Sequence, residues 1–116
     1  MFAAPLTADL PDMSGITKAL QSGDATALAS FFASDVELAV LDNEDLYDKA
    51  EAEKILAKFF SSNQPKSFSQ VHKGTSKGKD SHYVIGDLVS STKTYKIYIY
   101  LEDVGGSYQI EELRIE

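Results

Sequence analysis

Apolar residues recur at helical spacing through the first half of the chain and alternate with polar ones through the second. Met13, Ile16, Ala19 and Leu20 lie three and four apart behind a capping residue at Asp12, and Gly23 is placed to end the helix in a left-handed turn, so a helix is predicted over Met13 to Ser22. Asp24 caps a second helix whose apolar face is Leu28, Phe31 and Phe32. Val36, Leu38 and Val40 then alternate with Glu37 and Ala39, predicting a short strand that pairs with residues around Leu46 and Tyr47 across a DNED turn. Asp48 caps a third helix with Ala52, Ile55, Leu56 and Phe59 on its core side, and Pro65 stops it.

Beyond Pro65 the period changes to two. Four runs, Ser67 to Lys73, His82 to Ser90, Thr94 to Glu102 and Ser107 to Ile115, are separated by Gly, Ser, Lys and Asp connectors that suit hairpins. They predict an antiparallel meander. Tyr108 and Ile110 share one parity while Leu113 and Ile115 share the other, which calls for a bulge near Glu111 or Glu112. Gly86, in mid-strand, leaves room for backbone or ring to approach where a sheet bends. The order reads as an α+β, cone-like fold: N-terminal helices packed on a strongly curved antiparallel sheet, with helix, helix, hairpin, helix and four-strand meander in sequence.

Length and charge narrow the picture. A chain of 116 residues has room for one domain and buries about two thirds of its extended surface without metal or disulfide support. The domain is assigned to residues 13–116, after a loose arm over 1–12 that holds two of the three prolines. A net charge of -7 opposes a phosphate backbone and argues against nucleic-acid binding. With no cysteine the chain has neither disulfides nor thiolate ligands or nucleophiles, and no apolar run is long enough to insert in a membrane.

As a set, SGDATALASFFASDVEL, LYDKAEAEKILAKFF, PKSFSQVHKG, YVIGDL and GGSYQIEELRIE resemble an uncharacterised domain-of-unknown-function family of Bacteroidetes. That family is similar in layout to the nuclear-transport-factor-two-like superfamily, the cystatin-like cone. The resemblance covers the chain from Ile16 to its end. It implies a cone, dimerisation through the sheet, and export to the periplasm or beyond after removal of a signal, with the cytoplasm left open as the alternative. It implies no activity, because the superfamily contains isomerases, dehydratases, cyclases and non-catalytic domains alike.

Candidate chemistry is sparse. His72 and His82 flank the Lys73 to Ser81 connection; a hairpin symmetric about Lys77 would set them opposite one another, close enough to share a metal, against the plainer reading of two histidines at a wet hairpin end. Otherwise neither metal nor cofactor is expected. Asp42, Glu44, Asp45 and Asp48 lack the glycine and terminal glutamate of a calcium loop and read as a solvated turn with a helix cap. GTSKGKD lacks both the spacing and the strand-to-helix setting of a phosphate loop.

Two surfaces are expected to matter. Tyr95, Ile97, Ile99 and Leu101 form the natural inner face of their strand. That leaves Lys96, Tyr98 and Tyr100 outward, with Tyr83 and Ile85 of the neighbouring strand, as a homodimer face. Candidates for a small-molecule pocket in the cone are His72, Tyr83, Asp87, Tyr108, Glu111 and Glu112. The favoured function is a non-enzymatic small-ligand-binding or accessory domain. The alternatives are a cofactor-free isomerase or dehydratase, and an interaction protein whose cone is filled by Phe31, Phe32, Phe59 and other apolar side chains.

Overall fold

The computed structural model describes residues 13–75, 81–105 and 107–116. Three helices, α1 (Ser14–Ser22), α2 (Ala25–Ala29) and α3 (Lys49–Ser62), accompany six strands: β1 (Phe32–Val40), β2 (Asn43–Asp48), β3 (Pro65–Thr75), β4 (Ser81–Ser90), β5 (Thr94–Val104) and β6 (Ser107–Ile115). All six strands form one sheet in the order β2-β1-β6-β5-β4-β3. The α+β expectation holds, including the meander from β3 to β6. Among the described residues no helix is long and apolar enough to cross a membrane.

Helix ends follow local chemistry. Gly23 closes α1 at φ 69, a left-handed conformation that costs glycine nothing. The Asp24 carboxylate accepts from the Ala27 N–H at 3.0 Å, and that of Asp48 accepts from the Glu51 N–H at 2.8 Å, each satisfying a donor that has no partner inside its helix. The expected cap of α1, Asp12, lies outside the described residues.

Two boundaries differ from expectation. The second helix ends at Ala29, and Phe32, expected on its face, instead begins β1. The Ile110 N–H donates to the Phe31 carbonyl at 2.7 Å, so backbone pairing with β6 outweighs continuation of a short helix. The turn between β1 and β2 is Leu41 and Asp42, because Asn43, Glu44 and Asp45 are already paired with Val40, Ala39 and Leu38. Leu41 sits at φ 56, where a β-carbon crowds the backbone, yet its side chain is 49% exposed and gains little from burial.

A pairing with no counterpart in the sequence reading joins the two halves of the chain. β1 lies parallel to β6, with Leu38 beside Leu113 and Val40 beside Ile115. The inner face thereby gathers Val36, Leu88, Ile97, Ile99, Ile110, Leu113 and Ile115, none with accessible surface. Leu20, Leu28, Leu56 and Phe59 belong to the same core. Each fully buried aliphatic side chain contributes roughly 1.5–3 kcal/mol relative to exposure.

The bulge at β6 is present: Tyr100 pairs with Glu112 and Leu101 with Ile110, which leaves Glu111 as the extra residue. Gly86 also does what its position suggested. A β-carbon there would lie 2.4 Å from the Phe68 ring and 2.6 Å from the Ser69 carbonyl oxygen, so the tip of the phenyl ring occupies the missing side chain's place.

Gly86→Ala is expected to lose about 1–3 kcal/mol of stability, because a backbone carbonyl as well as a ring must move. Leu41→Asn is expected to gain about 0.5–1 kcal/mol by relieving the left-handed leucine. Urea unfolding of the two variants beside the parent measures both, and a neutral Gly86→Ala would contradict the packing described.

Candidate functional site on the outer sheet face

The sheet register sorts the sequence-derived site residues onto two faces. On the side away from the helices, Leu46, Glu37, Glu112, Tyr100, Tyr83 and Gly74 follow one another across all six strands. A parallel row runs Glu44, Ala39, Arg114, Tyr98, Ile85 and His72. The tyrosines and Ile85 therefore share one surface, and Tyr83 lies over Gly74, where a β-carbon would meet its ring at 2.8 Å.

The two histidines do not meet. Gln70 pairs with Gly86 but His72 pairs with Ile85, so Val71 is an extra residue and the strand's parity reverses there. The reversal turns His72 outward, where its Nε2 lies 3.1 Å from the Tyr83 hydroxyl. His82, facing Thr75 across the ladder, stays on the inner face, 5% exposed, with Nε2 3.4 Å from the Tyr108 hydroxyl. A shared metal is thus ruled out by opposite faces, and among the described residues no group of three His, Asp or Glu is arranged to hold a metal ion. Lys77, the assumed centre of symmetry, lies outside the described residues.

Three carboxylates expected in the cone face outward instead. Asp87 accepts from Lys96 at 2.8 Å, and that contact raises the lysine's proton affinity. Glu112 and Glu44 share Arg114, whose Nη1 lies 3.4 and 3.1 Å from them, and the Arg114 Nε is 3.6 Å from Glu116. Glu111, pushed out by the bulge, meets Glu102. Partial burial is the first cause and the like charge of Glu102 the second by which its carboxyl is held above the ordinary value of 4.5. Tyr108 alone of the pocket candidates joins the inner face, beside His82.

Glu111 and Glu112 thereby become walls of a groove of about 320 Å³ on the outer face. Asp35, Glu37, Leu46, Tyr100 and Glu102 line it as well, and at the start of β4 it reaches past the sheet's outer face to Ser81, Leu101 and His82. Leu46 is 60% exposed on the edge strand β2, and Tyr100 37%. Asp35, Glu37 and Leu46 were not site candidates in the sequence, because they reach the groove only through the parallel pairing of β1 with β6, whereas Glu102 comes to it along the meander, on the outer side of β5. The alternation of Val36 and Leu38 already marks Glu37 as outward, but nothing local says which strand it faces.

At the opposite end of the inner face a polar cluster ties α3 to the β4–β5 connection. Asn63 Oδ1 accepts from the Thr92 hydroxyl at 2.6 Å and from the Tyr95 hydroxyl at 2.8 Å, while the Ser90 hydroxyl donates to the Lys93 carbonyl at 2.6 Å. These groups satisfy one another, as a polar cluster beside a core must.

The Glu111 carboxyl binds its proton more tightly folded than unfolded, so its contribution to stability falls as pH rises from 4.5 through the higher folded value. Glu111→Gln is expected to raise the melting temperature at pH 7 by about 1–3 °C and to make it fall less between pH 4 and 7 than the parent's. Calorimetry across that range tests this, and a parallel profile for both proteins would refute the account of the pair.

Comparison with known proteins fits this arrangement. A family model described as domain of unknown function (DUF4783) matches residues 13–116. A crystal structure of a DUF4783 family protein from Bacteroides fragilis is similar at TM-score 0.81 and 29% identity, over 88% of this chain and 94% of that one. One from Bacteroides ovatus gives 0.82 and 26%, over 92% and 94%. A Nostoc punctiforme protein of unknown function with a cystatin-like fold gives 0.66 and 12%, over 89% and 83%, which speaks to the fold alone. No curated protein matches. The helices on a curved sheet, the extent of the family match and the likeness to the Bacteroides structures agree, and the chain belongs to the DUF4783 family, with a nuclear-transport-factor-two-like, cystatin-like fold.

Proposed function

We propose that this chain is a non-enzymatic accessory binding domain that works as a two-fold dimer through the outer face of its sheet. The observation that carries this reading is the division between the two faces. The centre of the inner face is used up in packing, where Ile97, Ile99 and Leu113 have no accessible surface. The acid–base candidates Asp87, Glu111 and Glu112 point the other way. Proton transfer on a small substrate instead requires such a group held in a dry cavity.

The outer face supports association. Tyr83, Ile85, Tyr98 and Tyr100 are contiguous on the two strands β4 and β5, and tyrosine supplies large contact area at low entropic cost. Val71, thrust out by its bulge, adds an aliphatic group 57% exposed at the border of the patch. Lys96 and Asp87 neutralise one another beside it, so two copies, each of net charge -7, meet on the least acidic part of the sheet.

One observation favours a second reading, a cofactor-free isomerase or dehydratase. His82 is an inward, buried titratable group with a hydroxyl neighbour in Tyr108, the type of pair that proton-transfer chemistry uses.

Sedimentation at micromolar concentration is expected to give twice 12.7 kDa for the parent and the monomer for Ile85→Lys/Tyr98→Lys, with unchanged circular dichroism. A monomeric parent would defeat the dimer. Screening small carbonyl and carboxylic acid fragments by NMR separates the two readings: perturbation confined to the His82 and Tyr108 rings would favour the enzyme.

A further inference from the structure

We infer that the groove at the β6 bulge receives a lysine- or arginine-bearing extended segment of a partner polypeptide. This goes beyond dimerisation and rests on the reading of the chain as a binding domain.

Three properties of the groove point to that occupant. Its charge is the first. Asp35, Glu37, Glu102, Glu111 and Glu112 converge from three strands on one depression that Ser81 and His82 of β4 close at one end, and two cations of the outer face, Arg114 and Lys96, are already engaged, the first by Glu44, Glu112 and Glu116 and the second by Asp87. Among the described residues no lysine or arginine forms an ion pair with Asp35, Glu37, Glu102 or Glu111. Glu102 and Glu111 are instead held against one another, a like-charge contact that a cation from outside relieves.

The second property is shape. A bare metal ion needs three or more oxygens converging within bonding distance, and among the described residues no such set exists. A groove of about 320 Å³ is open enough for side chains but too wide for an ion. The carboxylates follow the strands rather than surrounding a point. Lysine and arginine side chains, with charge carried at the end of a long stem, match that spread.

The third property is the apolar border. Leu46 stands 60% exposed opposite Glu37, and Tyr100 lies beside Glu112 at the other side. A leucine on an edge strand gains nothing from water, while the methylene stem of a basic side chain, or an apolar residue beside it, covers it. A second copy of this chain is a poor occupant, since it is itself acidic and would bring the same carboxylates against each other.

The test uses a fluorescein-labelled peptide of about twelve residues that alternates lysine or arginine with leucine, titrated with the whole protein at about 50 mM salt and followed by anisotropy. Saturable binding is expected, weakened about tenfold or more in Glu102→Gln/Glu111→Gln and several-fold in Leu46→Ser. A charge-matched control, Asp42→Asn/Glu51→Gln, is expected to bind as the parent does. Equal weakening in the control would reduce the effect to net charge and overturn the proposal, as would absence of saturable binding. Stoichiometric displacement of the peptide by micromolar calcium would overturn it in favour of a metal site. Sedimentation of the same variants keeps this result separate from the dimer: a monomeric parent that still binds the peptide defeats only the dimer, and a dimer that ignores it defeats only the groove.

Discussion

Both faces of this protein depend on the register of β6. That strand pairs antiparallel with β5 on one side and parallel with β1 on the other, and so stitches the N-terminal hairpin to the meander. Its two partners have to be satisfied with the same set of side chains facing the helices. One added residue, Glu111, allows this: Ile110 and Leu113 both point inward although three positions separate them. Without the bulge one of the two would be turned into water, at a cost of roughly 1.5–3 kcal/mol.

The same device decides where chemistry can occur. By bringing Glu111 and Glu112 to one side together, the bulge concentrates carboxylates on the outer face, where β1 contributes Glu37 and β5 contributes Glu102. The second bulge, at Val71, acts similarly at the far edge of the sheet, sending His72 out to Tyr83 while His82 stays with the core. An inner face of this kind, packed without accessible surface in its centre, gives stability, and the carboxylates of the groove are gathered on the outer face. The division accords with the general tendency of bulges to lie at edges and next to sites.

Much of this was legible along the chain. The caps at Asp24 and Asp48, the left-handed stop at Gly23, the four strands after Pro65, the β6 bulge and the close approach at Gly86 each follow from a few neighbouring residues, because each is a local interaction. The inward and outward sides of β5 were also plain, since alternation within one strand needs no knowledge of its neighbours. Phe32 was misplaced because its spacing from Leu28 suits a helix equally well, and only the hydrogen bond from Ile110, far along the chain, shows which period prevails.

What the sequence by itself determined, then, is the set of elements and their order, encoded in short-range periodicity and caps, while its family shows in the likeness of whole segments. What the tertiary structure alone decided is the company each side chain keeps. The parallel β1–β6 pairing closes a loop of most of the chain, and the Val71 bulge is invisible where apolar alternation is already weak. The bulge separates the histidines, and the parallel pairing assembles the acidic groove from residues as distant as Asp35 and Glu112. A strand's own pattern fixes which residues share a face; it carries no information about which strand lies beside it.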